Sequence, residues 1–172
     1  GSGRTDFLVT LREVCDSDAP TIAEYAGDYD IAKMVATMPH PYSLEDAHAW
    51  LDLIGKQKVE GLGHSLAIYV DGNFAGSAGW FYNKMHELEI GYWVAKPYWG
   101  KGVAGRAVDL LLDVIKVECT DVAEVFAQYM VENPASGRVL EKAGFISVGT
   151  GGDCFSLARG VSKPANKMIK KL

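Results

Sequence analysis

The sequence predicts a single mixed α/β domain, and three observations carry that prediction. Stretches in which apolar residues recur at every second position alternate with stretches in which they recur every three or four. Their order reads strand, three helices, three strands, helix, strand, helix and two closing strands. A chain of 172 residues without repeat, linker or low-complexity block is most simply one domain, long enough to bury a core without disulfides or metals.

Residues 7–13 read as the first strand, with Phe7, Val9 and Leu11 on one face. Ser17 or Asp18 caps a helix through Ile22 and Tyr25 that Gly27 ends. A second helical stretch covers residues 30–36, and Pro39-His40-Pro41 then breaks the chain. Ser43 and Asp46 make a capping-box start for a third helix carrying Ala47, Trp50, Leu51 and Ile54. Leu66, Ile68 and Val70 mark a strand, which Asp71-Gly72 turns back into another over residues 74–81. Leu88, Ile90, Tyr92 and Val94 alternate with Glu87, Glu89, Gly91 and Trp93, the period of a half-buried strand. After the run Trp99-Gly100-Lys101-Gly102-Val103-Ala104-Gly105, a long helix buries Ala104, Val108, Leu111 and Ile115 and exposes Arg106, Asp109, Asp113 and Lys116. Residues 123–131 read as a strand. Residues 134–143 read as a helix with Asn133 as its cap, Pro134 at its first position and Gly144 at its end. Residues 145–158 read as two closing strands around Gly151-Gly152. Residues 161–172, with Lys163, Lys167, Lys170 and Lys171, read as a solvated basic tail, and residues 1–3, opening on Gly1-Ser2, as an expression scar. The domain is therefore assigned to residues 4–160.

The glycine run is the most informative stretch. Backbone N–H groups at a helix start are free to donate, and the helix dipole favours an anion there. Glycines let a phosphate approach the main chain. Gly100-x-Gly102-x-x-Gly105 satisfies the dinucleotide fingerprint literally, with Glu124 near the place of a ribose-binding acid. Context rejects that reading: the run begins well beyond Val94, and some ninety residues of mixed structure precede it. No Gly-Lys-Ser or Gly-Lys-Thr closes it as a P-loop. A plain turn with a glycine-assisted helix start is the structural alternative.

Composition excludes some classes of function. A hydrophobic content of 48% and charged content of 23% are those of an ordinary globular chain, and a net charge of −5 argues against general nucleic-acid affinity. No apolar run is long enough to span a membrane, and no signal peptide is apparent. Cys15, Cys119 and Cys154 are odd in number and widely spaced, without metal spacing to His40, His48, His64 or His86, which points to idle thiols in a reducing cytoplasm.

The segments Pro97-Tyr98-Trp99-Gly100-Lys101-Gly102-Val103-Ala104, Asn133-x-x-Ser136 and Glu141-Lys142-x-Gly144-Phe145, in this order and spacing, resemble the GNAT superfamily of acyl-CoA-dependent N-acetyltransferases. Glu89-Ile90-Gly91-Tyr92-Trp93 and His40-Pro41-Tyr42-Ser43 resemble its RimJ/RimL-like branch, which acetylates protein N-termini and diverse small amines. The resemblance spans residues 7–159. It implies a central, splayed mixed β-sheet flanked by helices, with acetyl-CoA entering between the strand ending near Val94 and the strand ending near Tyr129. It further implies that N–H groups of Trp99, Gly100, Lys101, Gly102, Val103, Ala104 and Gly105 hold the pyrophosphate, and that main-chain atoms of Trp93 and Val94 bind the pantetheine arm. The same edge would present an N–H to the acetyl oxygen as it gains negative charge. Asn133 would contact the pantetheine, and Ser136 would face the sulfur. Two residues depart from the family pattern. Trp99 stands where the phosphate signature often begins with Arg or Gln, and Leu140 stands where many members carry a Tyr as acid for the leaving thiolate. That leaves Ser136, Tyr129, a water or no acid at all; Ser136 is the choice here.

An alkylamine is mostly protonated near neutral pH, so a base must take its proton before attack. Glu89 is the leading candidate, on the strand beside the expected thioester; Glu87, His40 and His86 follow it. The alternative for alternating glutamates is a solvent-facing strand. Tyr42, Trp80 and Tyr82, with Trp93, are candidates to line an acceptor groove, against the alternative of core packing. The sequence thus reads as an N-acetyltransferase moving an acetyl group from acetyl-CoA to a primary amine, in a peptide N-terminus or a small molecule, by direct attack in a ternary complex. No metal, nucleic acid or membrane is expected; the chain is expected to be cytoplasmic, as a monomer or homodimer. The alternative is a non-catalytic acyl-CoA-binding sensor or scaffold of the same fold.

Overall fold

The computed structural model describes residues 6–172; the expected expression scar lies outside the described residues. The element order is β1 (Val9–Glu13), α1 (Ala19–Ala26), α2 (Tyr29–Ala32), α3 (Leu44–Glu60), β2 (Gly63–Val70), β3 (Asn73–Tyr82), β4 (Leu88–Val94), α4 (Val103–Glu118), β5 (Glu124–Met130), α5 (Pro134–Lys142), β6 (Ile146–Ser156) and β7 (Val161–Lys171). The strands form one seven-stranded sheet in the order β1-β2-β3-β4-β5-β7-β6. Every neighbouring pair is antiparallel except β4 and β5, which are parallel and meet only at Glu89 opposite Phe126 and Ile90 opposite Ala127. Beyond Ile90 the two strands part, so the sheet is splayed at its centre.

Alternation along the strands sends successive side chains to opposite faces. On one face Ile68, Ala78, Ile90, Val125 and Ala127 pack with Val108, Leu111 and Ile115 of α4 and Leu140 of α5. On the other, Ala67 and Phe74 pack with Ala19, Ile22 and Ala47 of α1 and α3. Two of the local boundary signals act as expected, whereas Asp18 and Asn133 stand at the N-caps of α1 and α5 without a side-chain cap bond. Ser43 Oγ accepts from the Asp46 N–H while Asp46 Oδ2 accepts from the Ser43 N–H, starting α3. Asp71 and Gly72 both have positive φ, the geometry of a tight hairpin turn.

Three expectations need correction. The second helical stretch is short: α2 ends at Ala32, and residues beyond it run as turns. Gly151-Gly152 is not a hairpin turn; β6 runs through it with register shifts between Ser147 and Gly149 and between Gly149 and Gly152, and the chain reverses at residues 157–160. Residues 161–172 are not a tail, because Val161–Lys171 is β7, lying between β5 and β6 inside the sheet. The lysines conceal a strand in which Ala165 and Met168 are buried. Their long stems and charged heads find partners at the surface: Lys167 Nζ sits over the Phe126 ring and on Glu87, and Lys170 Nζ donates to the Ala143 carbonyl at the end of α5.

Candidate active site

The parting of β4 and β5 opens a groove of about 920 Å³. It runs from the start of α4, past β4, β5 and α5, to Glu89. At its first end, Gly100 and Gly102 have φ of +72° and +73°, and a Cβ at Gly100, Gly102 or Gly105 would meet no protein atom. Gly102 caps α4 in a left-handed conformation with no side-chain cap bond, so the first-turn N–H groups are left for an anion. Trp99, Gly100, Gly102, Val103, Ala104 and Gly105 line the groove, as do Arg138 and Lys142 of α5. Lys101 does not; its Nζ turns back to the Pro97 carbonyl. Open backbone donors beside two cations on α5 fit the phosphates of a CoA nucleotide.

Along β4 the main chain differs in detail from expectation. Ala95 N–H bonds the Ala75 carbonyl, and the antiparallel alternation then turns the main-chain groups of Trp93 toward β3. A Cβ on Gly76 would lie 2.1 Å from the Trp93 carbonyl oxygen, in keeping with that close approach. The same alternation turns Tyr92 and Val94 toward the opening, where an extended amide chain could pair as an added strand. Trp99 Nε1 already donates to the Val94 carbonyl at 2.7 Å. The Val94 N–H therefore faces the opening on the side away from β3, and Trp93 lines the groove wall.

Asn133 precedes α5 but makes no side-chain cap bond, and it lines the groove. The expected side-chain cap is therefore not made. Ser136, one turn on, also lines the groove, with its Oγ 2.7 Å from Tyr92 Oη. Leu140 is fully buried in the core and offers no polar atom. Tyr129 accepts a hydrogen bond from Asn166 Nδ2 and packs against Gly137.

The structure separates the candidate bases. Glu87 holds Lys167 Nζ at 2.7 and 2.9 Å, and that bond lowers its pKa. Glu89 faces the groove, accepts one bond from Asn83 Nδ2 at 3.0 Å, and has its pKa raised by burial. His40 stacks edge-on with Tyr29, and His86 is in an exposed turn; neither lines the groove. Cys154 does line it, but burial first and the Glu89 charge second raise its pKa, which suppresses the thiolate.

The expected acceptor aromatics lie elsewhere. Trp80 and Tyr82 share the opposite sheet face and line a separate cavity of about 330 Å³ with His64 and Glu118. His64 bridges Glu13 and Glu118 there at 2.7 and 2.8 Å. Phe81, the residue between Trp80 and Tyr82, stands opposite Glu89 and lines the groove. Tyr42 packs among the α1, α2 and α3 residues, where burial pushes its pKa up to about 12. The far wall is instead the strap of residues 34–37 after α2, which sequence reasoning missed. Arg159 ties the strap down through the Lys33 carbonyl and Glu132, and the Leu157 N–H bonds the Ala36 carbonyl. Arg138 and Lys142 were also missed, although their four-residue spacing on one helix face is visible in the sequence.

Among the described residues no helix is long and apolar enough to cross a membrane, and no cluster of His, Cys, Asp and Glu has metal-binding geometry. Residues 9–146 match the family described as an acetyltransferase (GNAT) domain. An uncharacterized N-acetyltransferase, p20 of Bacillus licheniformis, is 26% identical over 143 residues, covering 80% of this chain and 78% of that protein. RimL, a ribosomal L7/L12 alpha-N-protein acetyltransferase solved with coenzyme A, superposes with a TM-score of 0.82 at 15% identity, covering 98% of this chain and 97% of the other. Spermidine N-acetyltransferase from Vibrio cholerae, solved with CoA and spermine, gives 0.75 at 20% identity, covering 95% of each chain. With the family matched over residues 9–146 and the splayed sheet in place, the chain belongs to the GNAT family of N-acetyltransferases.

Proposed function

We propose that the chain transfers the acetyl group of acetyl-CoA directly to a primary amine, either a protein N-terminus or a small amine, within a ternary complex. The observation that carries this is the continuity of one groove, from the left-handed glycines of α4 through the parted strands to Ser136 and Glu89. The α4 N-terminus with Arg138 and Lys142 would hold the phosphates, and Tyr92, Val94 and Asn133 the pantetheine arm. The Val94 N–H would stabilise negative charge gathering on the acetyl oxygen. Glu89 takes the proton of the attacking amine, directly or through water. Ser136 donates to the sulfur as the carbon–sulfur bond breaks. The free thiols Cys15, Cys119 and Cys154 suit the cytoplasm, where we place the enzyme.

Calorimetric titration tests the donor: acetyl-CoA should bind in the micromolar range and NAD should not. Thiol release in the presence of a short peptide with a free N-terminus, and separately of spermine, then tests turnover and ranks the two acceptor chemistries. No binding of acetyl-CoA would overturn the reading; binding without thiol release from any amine would leave an acyl-CoA sensor.

A further inference from the structure

We propose that Tyr92 is a positioning residue for release of the thiolate: its phenolic hydroxyl holds the Ser136 hydroxyl so that the serine's own proton points at the sulfur. This rests on the role given to Ser136 above. The two oxygens are 2.7 Å apart, and Tyr92 Oη lies a longer 3.3 Å from the Ser136 main-chain oxygen. Both side chains line the groove where β4 has left β5, so the contact joins β4 to α5 across the opening. No other tyrosine takes this place, because position 140 is a buried leucine and Tyr129 Oη is turned to Asn166.

The chemistry follows from the donor inventory of a hydroxyl. A serine Oγ carries one proton and rotates among staggered positions. When it accepts the Tyr92 proton in a hydrogen bond, its own O–H is free for a second acceptor, and accepting strengthens it as a donor. Burial raises the Tyr92 pKa, so the phenol keeps its proton throughout. As the amine nitrogen bonds the carbonyl carbon, the carbon–sulfur bond breaks with its electron pair on sulfur. The Ser136 O–H keeps its proton and donates a hydrogen bond to the sulfur as negative charge gathers there. The thiolate departs, and Glu89 holds the one proton that the neutral amine loses on becoming an amide.

The test compares Tyr92→Phe, Ser136→Ala and the double variant, with acetyl-CoA and the better of the two acceptors named above. Tyr92→Phe should lower the single-turnover rate roughly tenfold, the worth of about one hydrogen bond, with KM for acetyl-CoA changed less than about twofold. The double variant should be no slower than Ser136→Ala alone. A Tyr92→Phe loss that persists in the Ser136→Ala background, or one that appears only in KM, would overturn the inference by making Tyr92 a packing residue. An unchanged rate in Tyr92→Phe beside a slow Ser136→Ala overturns the inference alone, whereas an unchanged rate in Ser136→Ala overturns the serine reading and the inference with it. Should Tyr92→Phe lose acetyl-CoA binding, 3-fluorotyrosine at position 92 keeps the ring and ionises at lower pH. A phenolate cannot donate, so the rate should then fall at a lower alkaline pH than in the wild type, and not in the Ser136→Ala background. An unshifted profile would overturn the proposal.

Discussion

Glu87, just before β4, and Glu89, within it, are two positions apart, yet their surroundings give them opposite chemistry. The ammonium of Lys167 holds Glu87 ionised, whereas burial disfavours the charge on Glu89 and leaves it a better proton acceptor. Two opposing influences act on Glu89: the Asn83 amide and the Lys167 charge both favour its ionised form, and burial outweighs them. A base works only when deprotonated, so activity should be present above the raised Glu89 pKa and lost as pH falls through it. This acid limb should lie above the ordinary carboxylate range. Glu89→Gln should cut kcat by about 10²–10⁴ and abolish that limb, while calorimetry shows acetyl-CoA affinity unchanged. Full activity of Glu89→Gln at saturating acceptor would remove Glu89 as the base. The sequence could rank Glu89 first through its place in Glu-Ile-Gly-Tyr-Trp, but the partner that disqualifies Glu87 comes from a lysine eighty residues later.

At the scale of elements, what was legible is local and what was hidden is relational. The Ser43–Asp46 cap, the Asp71-Gly72 turn and the helix start at Gly102 each rest on a few neighbouring residues, so composition alone reveals them. Trp80 and Tyr82 were placed a single position out of phase with the groove. A period of two means that such an error moves the side chain to the opposite face, and Phe81 takes the place expected of them. The strap was hidden because Arg159 reaches it from more than a hundred residues away. Gly76 is a further relational feature, since nothing in Ala75-Gly76-Ser77 announces the approach of β4. A Cβ there would fall 2.1 Å from the Trp93 carbonyl and 3.0 Å from the Val94 Cα, both backbone atoms that cannot swing aside. Gly76→Ala should therefore destabilise the protein by about 3 kcal/mol or more, lowering Tm by roughly 6–12 °C, and should displace the Val94 N–H that faces the groove. A melt unchanged within a degree would mean that β3 and β4 separate there without cost.

Over the whole molecule, the parallel contact of β4 and β5 is the narrowest joint in the sheet, only two residue pairs long, and the groove exists because it ends. The half beyond that joint is β5, β7 and β6, and β7 is its middle strand. Removing β7 would expose Val125, Ala127, Phe145 and Leu140, all buried against or near Met168 in the central core, and would leave β6 without a partner. It would also free Glu87 from Lys167 and the last turn of α5 from Lys170. The four lysines disguise this strand as a solvated end because charge dominates its composition, while its packing rests on two buried residues, Ala165 and Met168. Truncation after Gly160 discriminates the two pictures. If 161–172 were a tail, the shortened chain would keep its thermal transition and its acetyl-CoA affinity. With β7 inside the sheet, the shortened chain should show no cooperative melt by circular dichroism and no calorimetric binding of acetyl-CoA, because the wall of the groove that carries Gln128, Tyr129 and Met130 loses the strand that holds it in place.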